Sequence, residues 1–145
     1  MKCSEQTVLK AIPANKTKII KIPMGLLGFE SIKTYALSSN TKESPFLWLE
    51  AQDNPAVTFL IMPPSVLYPT YQPEISQEDV RQLALERAGD AMVLGIVLLL
   101  PDGKATVNLR GPIIVNRNTL VARQVVPIDG LHYNTRHQLP VIRNN

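Results

Sequence analysis

The sequence predicts a mainly β protein: a small, antiparallel, β-barrel-like single domain with one short helix. Short apolar or β-branched runs recur along the whole chain. Twelve prolines fall mostly between these runs, where a residue that fixes φ and lacks a backbone donor ends a strand. Only one segment has helical spacing. About eight strands and one helix favour an antiparallel, closed or nearly closed sheet over a regular alternation of strands and helices.

Four strands are predicted in the first half of the chain. Residues 17–22 are β-branched and place Ile20 and Ile22 on one face. The other three strands are short apolar or alternating runs at 34–37, 46–49 and 57–62. The last of these stops at Pro63 and Pro64, because no central strand can continue through two residues without backbone donors.

One helix is predicted over Ser76–Ala88, as a lid on one opening of the barrel. Ser76 is a capping residue, and Asp79 follows it at the third position, where a carboxylate suits the helix dipole. One side of this helix is formed at helical spacing by Val80, Leu83, Ala84 and Arg87. Gly89 is the predicted C-terminal stop.

The second half begins with a nearly continuous apolar run at residues 92–100, which is typical of a strand buried on both faces. Asp102–Gly103 then predicts a hairpin turn. Three more strands are predicted at residues 105–109, 112–115 and 120–126. A turn at Asn116–Asn118 links the last two.

Composition excludes several classes of protein. At 145 residues the chain fits one domain. A single cysteine, Cys3, excludes an intramolecular disulfide and a cysteine-based zinc site. Met1–Lys10 has no signal-peptide pattern, and the longest strongly apolar stretch, residues 91–100, is about half of what a membrane-spanning helix needs. We therefore expect a cytoplasmic protein without membrane contact.

The charge pattern does not favour direct nucleic-acid binding. The formal net charge is +3, and the fifteen lysines and arginines are scattered along the chain. A nucleic-acid binder usually concentrates its basic residues on one face, together with aromatic residues or a recognition element. We expect an acidic patch on a protein partner instead, and keep an RNA-binding β-barrel as the alternative.

Catalytic and metal-binding patterns are not found. His132 and His137 are five residues apart, whereas ligands on a helix need a spacing of three or four and those on a strand a spacing of two. We expect both histidines to be exposed. Gly25 and Gly28 lack the context of a phosphate-binding loop and instead predict a tight turn with positive φ at one of them. The expectation is a protein without enzymatic activity, cofactor or metal.

The segment from Leu67 to Glu74 contains two tyrosines and two prolines. Such a loop offers rigid amphipathic surface at low entropic cost and is frequent in contact surfaces. Tyr68 and Tyr71 could equally anchor the loop on the rim of the barrel. The two interpretations are compatible, and the sequence leaves both open.

Three segments together resemble the FliW family of flagellar assembly factors, in the family's order and spacing from about residue 7 to residue 139. They are residues 22–30 (IPMGLLGFE), residues 44–51 (SPFLWLEA) followed by 69–72 (PTYQ), and residues 108–116 (NLRGPIIVN) followed by 124–126 (QVV) and 133–137 (YNTRH). The resemblance marks structural-motif residues at Pro23, Gly25, Gly28, Phe29 and Pro112. Residues 140–145 are expected to form a flexible tail.

The resemblance implies a small β-barrel-like protein that binds the translational repressor CsrA and also flagellin. Binding would relieve repression of flagellin translation by a non-competitive route. A flagellin chaperone that does not touch the repressor is a further alternative. The chain departs from the family pattern at Leu27, Glu50, Ala51, Met62, Gly111 and Arg123.

We place the binding face on the segment from Leu67 to Glu74, which we call the proline-stiffened loop, and on the neighbouring strand ends. Arg110 is a charge inside an otherwise apolar run, which a buried strand alone would not require. The predicted protein-binding residues are Tyr68, Tyr71, Gln72, Glu74, Asn108 and Arg110.

Overall fold

The computed structural model describes residues 1–3, 17–39 and 45–140. All the predicted strands and the predicted helix lie within these ranges. Residues 141–145 of the expected flexible tail lie outside them.

Nine strands form one sheet in the described part of the chain: β1 (Thr17–Lys21), β2 (Thr34–Ser39), β3 (Leu47–Ala51), β4 (Thr58–Met62), β5 (Ala91–Leu99), β6 (Ala105–Val107), β7 (Ile113–Asn116), β8 (Ala122–Gln124) and β9 (His137–Gln138). The strand order is β1-β2-β3-β4-β5-β6-β9, with β7 paired to β5 and β8 paired to β7. Every pairing between these strands is antiparallel. One α-helix, α1 (Gln77–Gln82), and 3₁₀ turns at Pro64–Val66, Ala88–Asp90 and Gly130–His132 complete the described elements. None of these helices has the length and apolar content needed to cross a bilayer.

The mainly β, antiparallel, barrel-like fold with one short helix is confirmed. The sequence favours a closed or nearly closed sheet, and among the described residues the sheet is not fully closed. Among the described residues, the ends of the sheet are joined by a single parallel bridge between Lys21 and Val121, where the Lys21 amide donates to the Leu120 carbonyl over 3.0 Å. One bridge is not a ladder, so the sheet is barrel-like in curvature and open in its hydrogen bonding. The helix therefore does not cover the opening of a closed barrel.

Strand β5 divides the hydrophobic core in two, as expected for a strand buried on both faces. Met92 and Leu94 point into a core shared with β1, β2 and β3. Ala91 and Val93, on the opposite face, belong to a second core that includes the loop after β4 and the end of α1. The strand becomes exposed only near its end, at Leu98 and Leu99. Burial on both faces explains why this run carries no polar residue before its turn.

The helix begins where predicted but is shorter than predicted. The Asp79 amide donates to the Ser76 hydroxyl over 3.1 Å, which caps the first turn. The helix ends at Gln82, because the Asn116 side chain takes the carbonyls of Leu83 and Ala84, over 2.8 and 3.3 Å. A contact from the end of β7 thus replaces the hydrogen bonds that further helical turns would have made.

Two details of the predicted helix are consequently wrong. Gly89 is not the helix stop, since it lies in the 3₁₀ turn Ala88–Asp90. Ala84 and Arg87, predicted to share the apolar side, are exposed. Ala84 itself takes the left-handed conformation at φ 53°, which permits the chain to leave the helix abruptly.

Ala84 offers a test of this helix ending. A β-carbon in the left-handed region is strained, so we expect Ala84→Gly to raise the free energy of unfolding by about 0.5–1 kcal/mol. Chemical denaturation would measure the change. Ala56 is also exposed and is not among the described residues with positive φ, so Ala56→Gly should instead destabilise by about 0.4–1 kcal/mol. A loss of stability in both variants would contradict the assigned helix ending.

Candidate protein-binding face

The histidines and the cysteine of the described residues are not arranged as a metal site. Within residues 1–3, 17–39 and 45–140, no group of three or more histidine, cysteine, aspartate or glutamate side chains could hold a metal ion. His132 is exposed, as predicted, but His137 is half-buried because its ring packs edge-on against Tyr68 with the centroids 4.2 Å apart. Cys3 is buried, and burial raises the pKa of its thiol, as expected for an inert cysteine.

Both tyrosines of the proline-stiffened loop anchor it to the second half of the chain. Tyr71 is only 4% exposed, and its hydroxyl donates to the Leu109 carbonyl over 2.7 Å. Burial raises the pKa of Tyr71, so the hydroxyl keeps its proton and remains a donor. Tyr68 is half-buried and donates to the Gln138 carbonyl over 2.7 Å. The anchoring interpretation therefore describes Tyr71 fully and Tyr68 in part.

Opposite this loop, the chain between β6 and β7 forms a bulge. Five residues separate Val107 from Ile113, whereas only two separate their partners Val97 and Leu94 on β5. The predicted strands at 105–109 and 112–115 are therefore β6 and β7 with this excursion between them. Such excess residues bend a strand and turn side chains outward.

The bulge is held by Asn108. Its side-chain oxygen accepts the amides of Arg110, over 3.0 Å, and Gly111, over 2.9 Å, the local pattern that lets asparagine stabilise turns. A β-carbon at Gly111 would lie 3.1 Å from the Asn108 amide nitrogen and 3.2 Å from that of Gln124. The tight fit accounts for glycine at this departure from the family pattern.

Arg110 projects from the bulge and is exposed. Its Nε donates to the carbonyls of Gly130, over 3.2 Å, and Tyr133, over 3.0 Å. The base of the guanidinium is thus fixed on the turn Gly130–His132 and its neighbour. The ion pairs between described residues join Arg87 to Asp90 and Arg123 to Asp79, and none involves Arg110.

Three exposed aliphatic side chains belong to the segment on which Arg110 is anchored: Val126, Ile128 and Leu131, with exposed fractions of 74%, 64% and 89%. We call Arg110 and these three residues the Arg110 face. The sequence analysis missed the aliphatic part, because it assigned Val126 to a strand that in fact ends at Gln124. Pro127, immediately after Val126, is the signal that could have shown that the run leaves the sheet.

Gln72 and Glu74 lie beside the Arg110 face, and their backbone groups form hydrogen bonds with the segment that carries it. The Glu74 amide donates to the Asp129 carboxylate over 3.0 Å, and its carbonyl accepts from Ile128 over 2.8 Å. Tyr133 donates to Asp129 over 3.3 Å and lies 3.5 Å from the Gln72 carbonyl. Burial, followed by the charge of Asp129, raises the pKa of Tyr133, so this hydroxyl also remains protonated.

Four of the structural-motif residues lie in one turn segment, and the fifth, Pro112, directly precedes β7. The sequence predicted positive φ at one of two glycines, but both have it: Gly25 at 69° and Gly28 at 87°. Phe29 packs edge-on against Phe59 with the centroids 5.1 Å apart. Pro23 is exposed in the same turn segment, whereas Pro112 is buried after the bulge.

A single side chain links the glycine turn to the bulge. The Gln124 oxygen accepts the Leu27 amide over 2.9 Å, and its nitrogen donates to the Gly111 carbonyl over 3.0 Å. The conformation of residues 25–28 is thereby tied to the backbone next to Arg110.

A concave surface lies beside α1. It is an open groove of about 520 Å³ lined by Gln77, Val80, Arg81, Ala84, Leu85 and Glu86. It has an aliphatic floor and one charge of each sign, and a partner helix or tail could enter it. It shares no residue with the Arg110 face.

Comparison with known proteins identifies a family. The family model described as "FliW protein" matches residues 3–139. The flagellar assembly factor FliW of Geotalea uraniireducens (strain Rf4) is 40% identical over 121 residues, which are 83% of this chain and 73% of that protein. The flagellar assembly factor FliW of Moorella thermoacetica (strain ATCC 39073 / JCM 9320) is 34% identical over 128 residues, 86% of this chain and 80% of that protein.

The fold is also similar to that of a solved structure. A crystal structure described as that of the flagellar assembly factor FliW superposes with a TM-score of 0.75 at 26% sequence identity. The superposition covers 84% of this chain and 86% of that one. Similarity in sequence and in fold therefore extends over nearly the same length of chain.

Proposed function

The chain belongs to the FliW family, and on that premise we propose that it is a flagellar assembly factor that acts by binding other proteins and not by catalysis. The observation that carries this proposal is the match of the family model over residues 3–139. The curated relatives are described as flagellar assembly factors.

The proposed clients are a translational repressor of the CsrA type and flagellin, both met in the cytoplasm. Binding of the repressor relieves repression of flagellin translation by a non-competitive route, and binding of flagellin withdraws the protein from the repressor. Support for these clients comes from the sequence resemblance. The charge of +3 adds to it, because a basic protein is guided electrostatically toward an acidic patch on its partner.

The proposed binding face combines the proline-stiffened loop with the bulge. In favour of this location, the loop and the bulge are joined directly by the hydrogen bond from Tyr71 to Leu109. Gln72 and Arg110 are exposed on it, and Tyr68, Glu74 and Asn108 are half-buried. Tyr71 is too buried to offer its ring to a partner, so we assign it the support of this face.

Most departures from the family pattern have a structural explanation. Ala51 and Met62 are buried in the core, and Arg123 pairs with Asp79 over 3.2 Å. Glu50 is exposed on β3. Only Leu27 and Gly111 are connected to the proposed face, through the side chain of Gln124.

Size-exclusion chromatography at moderate salt tests the proposal. The protein is mixed separately with the CsrA-type repressor, with flagellin and with flagellin messenger RNA. We expect comigration with the repressor and with flagellin, and none with RNA alone. RNA comigration that vanishes when salt is added would instead indicate a nucleic-acid binder. Comigration with flagellin alone would indicate a chaperone that does not act on the repressor.

A further inference from the structure

We propose that the Arg110 face is a docking surface for a segment of a protein partner that presents aliphatic side chains beside a carboxylate. This inference rests on the proposed function, which says that the chain binds proteins, and adds which surface is used and what chemistry it recognises.

Two of the four side chains meet at Gly130, and the other two lie within two residues of it in the chain. A β-carbon built on Gly130 would lie 3.7 Å from the Arg110 Cγ and 3.7 Å from the Val126 Cγ1, so both side chains lie over this glycine. Leu131 follows Gly130 directly in the chain. Ile128 is tied to the same region by its hydrogen bond to Glu74. The Arg110 stem and Val126 are therefore close to each other, because Gly130 has no side chain to separate them.

The exposure of these aliphatic residues is not required by the fold. Val125, their neighbour, is 3% exposed and hydrogen-bonds to the Pro112 carbonyl over 2.9 Å, so the chain is well fixed at the point where it leaves the sheet. A clustered, exposed aliphatic patch with a polar rim marks an interaction site more often than scattered hydrophobic residues do. Rigid backbone under the patch lowers the entropic cost of binding.

The charge of the patch indicates the partner. Arg110 is held through Nε, which leaves its terminal amino groups for a ligand, and no carboxylate of the described residues forms an ion pair with it. The Asp129 carboxylate accepts instead from the Glu74 amide and the Tyr133 hydroxyl. A fixed guanidinium with free amino groups is suited to bidentate recognition of a carboxylate.

The same composition disfavours a nucleic acid at this surface. One cation among three aliphatic side chains neutralises a single phosphate, whereas backbone binding needs several. Bases would need exposed aromatic faces for stacking. The nearest aromatic residue, Tyr133, is half-buried, with its ring edge-on to that of Tyr71 at 4.8 Å.

The test uses the full chain and titrates the repressor and flagellin into wild type and variants. We expect Leu131→Ser and Val126→Ser each to weaken binding of at least one of these proteins about tenfold, and Arg110→Glu to weaken it about a hundredfold. The effect of Arg110→Glu should shrink as salt is added. Arg110→Lys keeps the charge but loses the bidentate geometry of the guanidinium, so we expect a loss of affinity smaller than that of Arg110→Glu.

Leu99→Ser is the matched control, because Leu99 is also an exposed leucine (63%) but lies at the end of β5. If wild type binds a partner and the patch variants bind it equally well, the inference is overturned, and with it the place of Arg110 on the binding face, while the proposed role as a protein-binding assembly factor stands. If wild type binds neither protein, the proposed function itself fails, and the inference with it. A change in the oligomeric state of the chain alone on Leu131→Ser would show a contact between two copies and would also overturn the inference.

Discussion

Replacing Gly25 by alanine is expected to lower the free energy of unfolding by about 3 kcal/mol. Gly25 has φ 69°, and a β-carbon there would lie 2.4 Å from the Glu30 Cα and 2.6 Å from its carbonyl oxygen. Both are backbone atoms, so no side-chain rotation can relieve the contact. The turn must shift as a whole, and that shift pulls on the Leu27 amide that hydrogen-bonds Gln124. Urea denaturation followed by circular dichroism would measure the loss.

Gly28→Ala is the control for this prediction. Gly28 also has positive φ, at 87°, but a β-carbon there meets nothing within 4 Å. We expect only the conformational cost of a left-handed alanine, about 1 kcal/mol. Equal losses in the two variants would show that strain at positive φ, and not the contact with Glu30, determines the requirement for glycine.

The strands could be predicted from the sequence because their information is local. The alternation of Ile20 and Ile22 with exposed neighbours, and the Asp102–Gly103 turn, depend on residues within one strand or one turn. The end of α1 could not be predicted in this way. It depends on Asn116, whose side chain takes the last carbonyls from a position more than thirty residues away. Strand β9, with two residues, is too short to show any period.

The residues of the candidate site also differ in whether a local sequence signal identifies them. Arg110 stood out because a charge interrupts an apolar run, which is a local signal. Leu131 did not, because a single leucine in a loop is ordinary, and its proposed role comes from the fold that brings its neighbour Gly130 to Arg110 and Val126. The sequence left open whether the tyrosines anchor the loop or contact a partner. The burial of Tyr71 decides for anchoring at that residue, and no pattern within residues 67–74 determines this burial.

Replacing Tyr71 by alanine is expected to cost about 3–5 kcal/mol of folding free energy, as for other large buried aromatic residues. The ring lies in the second core, edge-on to Tyr133, and its hydroxyl holds the Leu109 carbonyl. A domain of this size has a total stability of about 5–15 kcal/mol, so the substitution removes a large part of it. Thermal and urea denaturation would measure the change.

Tyr71→Phe separates the hydroxyl from the ring, and Tyr35→Phe is its matched control. Tyr71→Phe leaves the buried Leu109 carbonyl without its donor and should cost about 1–2 kcal/mol. The Tyr35 hydroxyl is buried with no hydrogen-bond partner in the described part of the chain, so its removal should be neutral or stabilise by up to about 1 kcal/mol. Because Leu109 adjoins Arg110, Tyr71→Phe should also weaken partner binding, though less than Arg110→Glu does. A variant that keeps full stability yet loses binding would mean that the Tyr71 hydroxyl contacts the partner itself, contrary to its burial beneath the face.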